Sequence, residues 1–169
     1  MNKHYDVIVV GLGAMGTAAA FHLASRGLRV LGLEQFQLAH DRGSSHGETR
    51  LIRQAYFENP DYVPLLFRAY ELWSALESEI QERLFERNGI VIYGRPGISK
   101  VYDGALRSAR LYSIPMEELS GRQAQDRWPM YQPPEGFDAA FEPGAGFLYA
   151  ERSVLAHAEA ARRRGAELH

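Results

Sequence analysis

The 169 residues, 46% apolar and 24% charged with a formal net charge of −2, have the composition of an ordinary soluble globular domain. That balance offers no case for nucleic acid or an anionic membrane as partner, since such partners select strongly basic surfaces. The absence of cysteine excludes disulfides, thiol catalysis and thiolate metal sites, and fits a reducing, cytoplasmic compartment.

Val7, Ile8, Val9 and Val10 form an apolar run that reads as a buried strand, and Gly11-Leu12-Gly13-Ala14-Met15-Gly16 follows it directly. At these spacings Gly11 permits a tight turn, Gly13 lets the backbone approach a pyrophosphate, and Gly16 lets the next helix pack closely on the sheet. Residues 14–25, rich in Ala and Leu, predict that helix; Arg26-Gly27 supplies a basic last turn and a stop, and 28–33 predict a second strand. Glu34 closes this β-α-β pattern, where a carboxylate accepts hydrogen bonds from adenosine ribose hydroxyls and disfavours a 2′-phosphate. The pattern reads as an ADP-binding unit; the alternative is a structural unit whose glycines serve only packing. Residues 7–24 carry no Asp, Glu, Lys or Arg, but their glycines and alanines are too weakly apolar for a membrane span or signal sequence.

Residues 35–47 are polar and aperiodic, a loop beside the cofactor end of the sheet. The run 43–56 gathers hydroxyls, His46 and the guanidinium groups of Arg50 and Arg53, a density suited to anion handling. A helix would place these two arginines on one face and a strand on opposite faces. They suit carboxylate recognition or a fixed positive charge beside a flavin; the bland alternative is two surface arginines.

Asn59-Pro60-Asp61 caps a helix with the stripe Leu66, Ala69, Tyr70, Trp73, Leu76, Ile80 and Leu84, ended by Asn88-Gly89. Trp73 belongs to its core face. A short strand is expected at 90–93, helices at 102–112 and 120–127, and two antiparallel strands at 139–142 and 146–149 joined through Pro143-Gly144-Ala145. A helix at 152–164 follows, with the arginines 162–164 as its solvated end, Gly165 as its stop and a strand beginning at 166. The six histidines show no metal-ligand spacing, and no metal is expected.

These elements describe an α/β chain with a Rossmann-type nucleotide-binding domain interrupted by part of an α+β domain. The expected segments are 1–84 and 143–169 for the first and 85–142 for the second. A parallel sheet needs more strands than are visible, so the expectation is the N-terminal portion of a larger protein, apparently truncated.

Residues 7–16, Glu34, 43–56, Tyr62-Val63-Pro64-Leu65, Glu71-Leu72-Trp73, Arg127-Trp128-Pro129 and Phe141-Glu142-Pro143 together resemble the monomeric sarcosine oxidase family of flavoproteins, which includes N-methyltryptophan oxidase. The resemblance implies an FAD-dependent oxidase of secondary amino acids, N-methyl or cyclic, with molecular oxygen as acceptor and an imine and hydrogen peroxide as products. It also implies roles. Gly11, Gly13 and Gly16 would hold the FAD pyrophosphate and Glu34 the adenosine ribose. Ser44, Ser45, Thr49 and Arg50 would approach the flavin, His46 and Arg50 would act as catalytic residues shaping the field beside its ring, and Arg53 would bind the substrate carboxylate.

Two positions depart from the family pattern. Ser45 stands where a histidine is common, and Glu48 where an aspartate is usual. The family's flavin-tethering cysteine, oxygen-activating lysine and second carboxylate-binding basic residue belong to its C-terminal half; without cysteine, covalent attachment through these residues is impossible. A nicotinamide-dependent dehydrogenase would use the same glycines and acid, and a non-catalytic nucleotide-binding module is the other rival. The dehydrogenase gives no reason for the cluster at 43–56. The oligomeric state is not legible.

Overall fold

A computed structural model of the chain describes residues 4–169. The opening strand β1 (Val7–Val10) leads through the glycine turn into helix α1 (Ala14–Ala24) and strand β2 (Val30–Leu33), as the sequence predicts. After a long loop comes β3 (Thr49–Ile52), then a single 3-10 turn and helix α2 (Val63–Ile80). Strands β4 (Phe85–Glu86) and β5 (Ile90–Gly94) precede helix α3 (Lys100–Tyr112), strand β6 (Glu117–Leu119) and helix α4 (Gly121–Arg127). The chain closes with β7 (Asp138–Glu142), β8 (Gly146–Tyr149), helix α5 (Ala150–Arg163) and β9 (Glu167–Leu168).

Two compact units result. The first takes the chain up to Arg50 together with Trp73–Phe85 and Leu148–His169; the second takes Leu51–Leu72 and Glu86–Phe147. The segment 51–72, expected with the nucleotide-binding part, groups instead with the second unit.

In the first unit β1, β2 and β9 form a parallel sheet in that order, with Val7 opposite Val30 and Leu31 opposite Glu167. Helices α1 and α5 pack through alanines, Ala20 and Ala24 meeting Ala156, Ala160 and Ala161, with Phe21, Leu76 and Leu84 filling the rest. Small side chains let helix axes approach closely and allow a flat, nearly dry contact. Trp73 packs against this core, its ring 5.3 Å from that of buried His157, as the helical stripe predicts.

Helix α2 stops well short of Asn88-Gly89. Gln81 adopts the left-handed conformation (φ 57°), and the Glu77 carboxylate accepts the N–H groups of Leu84 and Phe85 at 2.8 and 2.9 Å. Gln81 thus takes the left-handed position usually given to a glycine stop, and the Glu77 carboxylate holds the chain that follows by its amides. Leu84 is buried as expected, but from the strand side of that turn.

The second unit is built on an antiparallel sheet, β5-β7-β6, in which Ile92 faces Ala140 and Glu118 also pairs with Ala140. Helix α3, capped by Ser99, covers it with Tyr102, Ala105, Leu106 and Ala109, and Ser120 and Gln123 form a reciprocal capping box on α4. The expected hairpin of 139–142 with 146–149 does not form. Both strands exist, but β7 pairs with β5 and β6, while β8 joins a separate sheet in the order β3-β8-β4. Pro143 and Gly144 redirect the chain from one sheet to another rather than folding it back on itself.

Candidate functional site

The glycine turn is shaped as its spacing demands. Gly11 has φ +88°, and a Cβ on Gly16 would lie 1.8 Å from the Gly11 carbonyl oxygen, so the first turn of α1 and the end of β1 touch as backbone. Helix α1 starts at Gly13 without a side-chain cap from that residue and without an acid in its first turn. The first turn itself brings no carboxylate to the positive end of the dipole, which favours an anion there.

Gly11, Leu12, Gly13, Glu34, Ala39, His40, Gly43, Ser44 and Ser45 line one cleft of about 270 Å³, with Val154 of α5 at its wall. Five of the residues expected at a cofactor therefore meet in one place. Gly16 supports the turn from beneath. Ser45 Oγ accepts the Ala14 N–H at 3.0 Å, so the serine that replaces the common histidine ties the loop to the helix N-terminus with a neutral group.

Glu34 holds the turn itself. Its Oε2 accepts the Leu12 N–H at 2.7 Å, its Oε1 accepts those of Gln35 and Phe36 at 2.8 and 3.3 Å, and His40 Nε2 lies 3.4 Å from Oε1. The backbone donors, that of Leu12 foremost, hold its carboxyl below the ordinary value despite the opposing effect of burial. His40 was not expected here; it is adjacent to the acid in space and six residues away in sequence, with no motif to mark it.

Segment 43–50 is fixed by a glutamate that no local signal announces. Glu151, in the first turn of α5, accepts the Gly47 N–H on Oε1 at 2.7 Å and the Glu48 N–H on Oε2 at 3.0 Å. Glu48, left-handed at φ 49°, also receives the Ala150 N–H on its carbonyl at 2.8 Å. The Gly47 amide is the chief cause of a lowered Glu151 pKa, and the nearby His46 lowers it further. Thr49 and Arg50 begin β3, whereas Arg53 lies past its end, so neither a helix nor a strand holds both arginines. Arg50 donates from Nη1 to the carbonyls of Thr49 (2.8 Å) and Gly47 (3.4 Å) and from Nη2 to that of Ser44 (3.1 Å), closing the loop across its base.

Arg53 follows the end of β3 and belongs to the second unit. Its guanidinium lies 5.1 Å from the Tyr56 ring centre and 5.3 Å from that of Phe57, with Glu58 Oε2 at 3.8 Å from Nη2. The side chain is partly exposed and stacked, an arrangement that keeps a planar fork oriented.

A depression of about 730 Å³ in the second unit, lined by Phe57, Glu58, Gly97, Ile98, Lys100, Asp103, Gly104 and Arg107, lies at the start of α3 and mixes both charges; there the Gly97 N–H is already taken by the Asp103 carboxylate at 3.0 Å. Among the described residues no group of three or more His, Asp or Glu is arranged to hold a metal ion, and no helix is long and apolar enough to cross a membrane.

The glycine turn, the carboxylate at the end of β2 and the N-terminus of α1 fit the diphosphate and ribose of an FAD. Comparison with known proteins agrees with that fit. A family model described as FAD dependent oxidoreductase matches residues 6–169. The chain is 48% identical over 169 residues to a monomeric sarcosine oxidase of Streptomyces avermitilis, covering all of this chain and 44% of that protein. It is 40% identical over 150 residues to an N-methyl-L-tryptophan oxidase of Yersinia pestis, covering 89% of this chain and 40% of that one. Among solved structures, NikD, described as an unusual amino acid oxidase essential for nikkomycin biosynthesis, superposes with a TM-score of 0.86 at 28% identity over 99% of this chain and 43% of its own. The chain thus spans less than half the length of the relatives it matches.

Proposed function

We propose that this chain, which belongs to the FAD-dependent oxidoreductase family, carries the dinucleotide-binding part of an oxidase of secondary amino acids, N-methyl or cyclic, that passes electrons to molecular oxygen and yields an imine and hydrogen peroxide. The observation that carries the reading is the convergence of Gly11, Gly13, Glu34, Ser44 and Ser45 on one cleft, with Arg50 fixed at the base of the same loop. A reducing, cytoplasmic setting belongs to it, in keeping with the cysteine-free sequence.

When bound, FAD supplies the acceptor for two electrons leaving the carbon beside the substrate nitrogen. Residues of this chain hold and orient. Gly11 and Gly13 give the diphosphate open backbone, the α1 N-terminus attracts its charge, and Gly16 keeps helix and turn in register. Glu34 shapes the turn through the Leu12 amide and, in this reading, offers its remaining acceptor capacity to the adenosine ribose. Ser44, Ser45 and Thr49 border the flavin, with His46 and Arg50 setting the local field. Arg53 receives the substrate carboxylate through its two-pronged fork.

The test is steady-state peroxide production by the full-length, FAD-loaded protein with sarcosine, N-methyl-L-tryptophan and L-proline as substrates. Arg53→Ala is expected to raise KM for the accepted substrate about ten-fold or more, the loss of a charge-assisted bidentate pair, while the flavin spectrum stays unchanged. A colourless protein that gains no activity from added FAD overturns the proposal.

A further inference from the structure

The turn at 53–57 is held more firmly than a surface loop requires. Glu142, at the end of β7 and 1% exposed, accepts the Gln54 N–H on Oε1 at 2.8 Å and the Ala55 N–H on Oε2 at 3.1 Å. Ser108 of α3, fully buried, donates its hydroxyl to the Tyr56 carbonyl at 2.5 Å. Gly104 lies so close that a Cβ there would stand 2.3 Å from the Phe57 carbonyl oxygen. The Tyr56 N–H turns back to the Gln54 carbonyl at 2.8 Å, and Ala55 is fully buried.

An isolated carboxylate out of water is costly, and removing one partner of such a buried contact leaves the others unsatisfied. Burial pushes the Glu142 carboxyl up, while the two amides and the Arg53 charge pull it down. What Glu142 fixes is the backbone directly after Arg53, whose guanidinium lies along the rings of Tyr56 and Phe57 in the same turn. A shift of this backbone carries both the root of the arginine and the surface it rests on. Bidentate recognition of a carboxylate depends on direction as well as distance, so the mount matters as much as the fork.

We propose that Glu142, aided by Ser108, is a positioning residue for the substrate carboxylate: it anchors the two amides that follow Arg53 and so sets the direction in which that guanidinium is presented. The inference rests on Arg53 as the carboxylate-binding residue. Neither Glu142 nor Ser108 needs to touch the substrate.

The test uses the full-length, FAD-loaded protein, with acetate as a carboxylate probe read by its perturbation of the flavin absorbance and sarcosine as substrate. E142Q keeps the shape of the side chain but offers one of the two amides a donor in place of an acceptor. It is expected to raise the acetate Kd and the sarcosine KM together, by about ten-fold, with a much smaller change in kcat and with FAD content unaltered. Placed on an Arg53→Ala background, the same substitution should add little, because the group it orients is gone. Loss of FAD or of thermal stability in E142Q with acetate Kd and KM unmoved shows a purely structural glutamate and overturns the proposal. Should E142Q fail to fold, S108A removes another anchor of the same turn, and an unchanged acetate Kd in that variant overturns it equally. If Arg53→Ala itself leaves acetate binding intact, the reading of Arg53 falls first, and the role of Glu142 with it. If Arg53→Ala weakens acetate and E142Q does not, only the positioning role is lost.

Discussion

Glu34 is committed to the backbone before any cofactor arrives, since three amide N–H groups converge on its two oxygens. Its folded pKa is lowered, so the stability it confers is present above the ordinary carboxylate value of 4.5 and is lost as pH falls through the lower folded value. E34Q keeps the size but turns one acceptor into a donor that faces an amide. The expected outcome is about ten-fold weaker FAD binding at pH 7, measured by fluorescence titration, and a flatter acid limb of the thermal midpoint below pH 4.5. The glycines and Glu34 were legible in the sequence because each is demanded by a local shape, at fixed spacing from a strand. Glu142 and Glu151 were not legible as clamps. Their partners are backbone amides 87 to 104 residues away, and an amide N–H is the same in every sequence. Glu142 stood inside a motif of the family resemblance, but nothing local told what it held.

At the scale of elements, the contact between the first turn of α1 and the end of β1 tolerates no added atom, because the group opposite Gly16 is backbone rather than a movable side chain. Gly16→Ala is expected to destabilise the protein by about 1–3 kcal/mol in urea denaturation, through displacement of the helix, and to reduce retained FAD in step. A variant with wild-type stability and flavin content would show that the helix has room to move. Local composition and the glycine, proline and basic residues around them placed α1, α3, α4 and α5 close to where they lie. The end of α2 was misplaced because it depends on Gln81 in a left-handed conformation and on Glu77 reaching forward, neither of which alters the apolar stripe. The hairpin expected at Pro143-Gly144-Ala145 failed for a related reason: strand propensity is visible in β7 and β8, but the choice of partner is made by residues far along the chain.

At the scale of the molecule, the composition and the β-α-β opening were enough for an α/β class, but not for the grouping of 51–72 with 86–147. The outward residues of β1, Ile8 and Val10, are 57% and 81% exposed, an open apolar strip in a sheet of three strands. These 169 residues expressed by themselves with FAD are accordingly expected to give no peroxide from sarcosine, and clear turnover would count against the proposed division of labour. The main chain passes from one unit to the other four times, after Arg50, Leu72, Phe85 and Phe147. No uninterrupted stretch therefore holds either unit without some of the other. A single crossover between two related genes cannot trade the antiparallel half for a new one. Even a double exchange at the outer junctions brings the later turns of α2 along with it, and with them Trp73 and Leu76 of the alanine-rich core. Inheritance at this locus acts on both units together, and any swap that alters the second must also preserve the packing of the first.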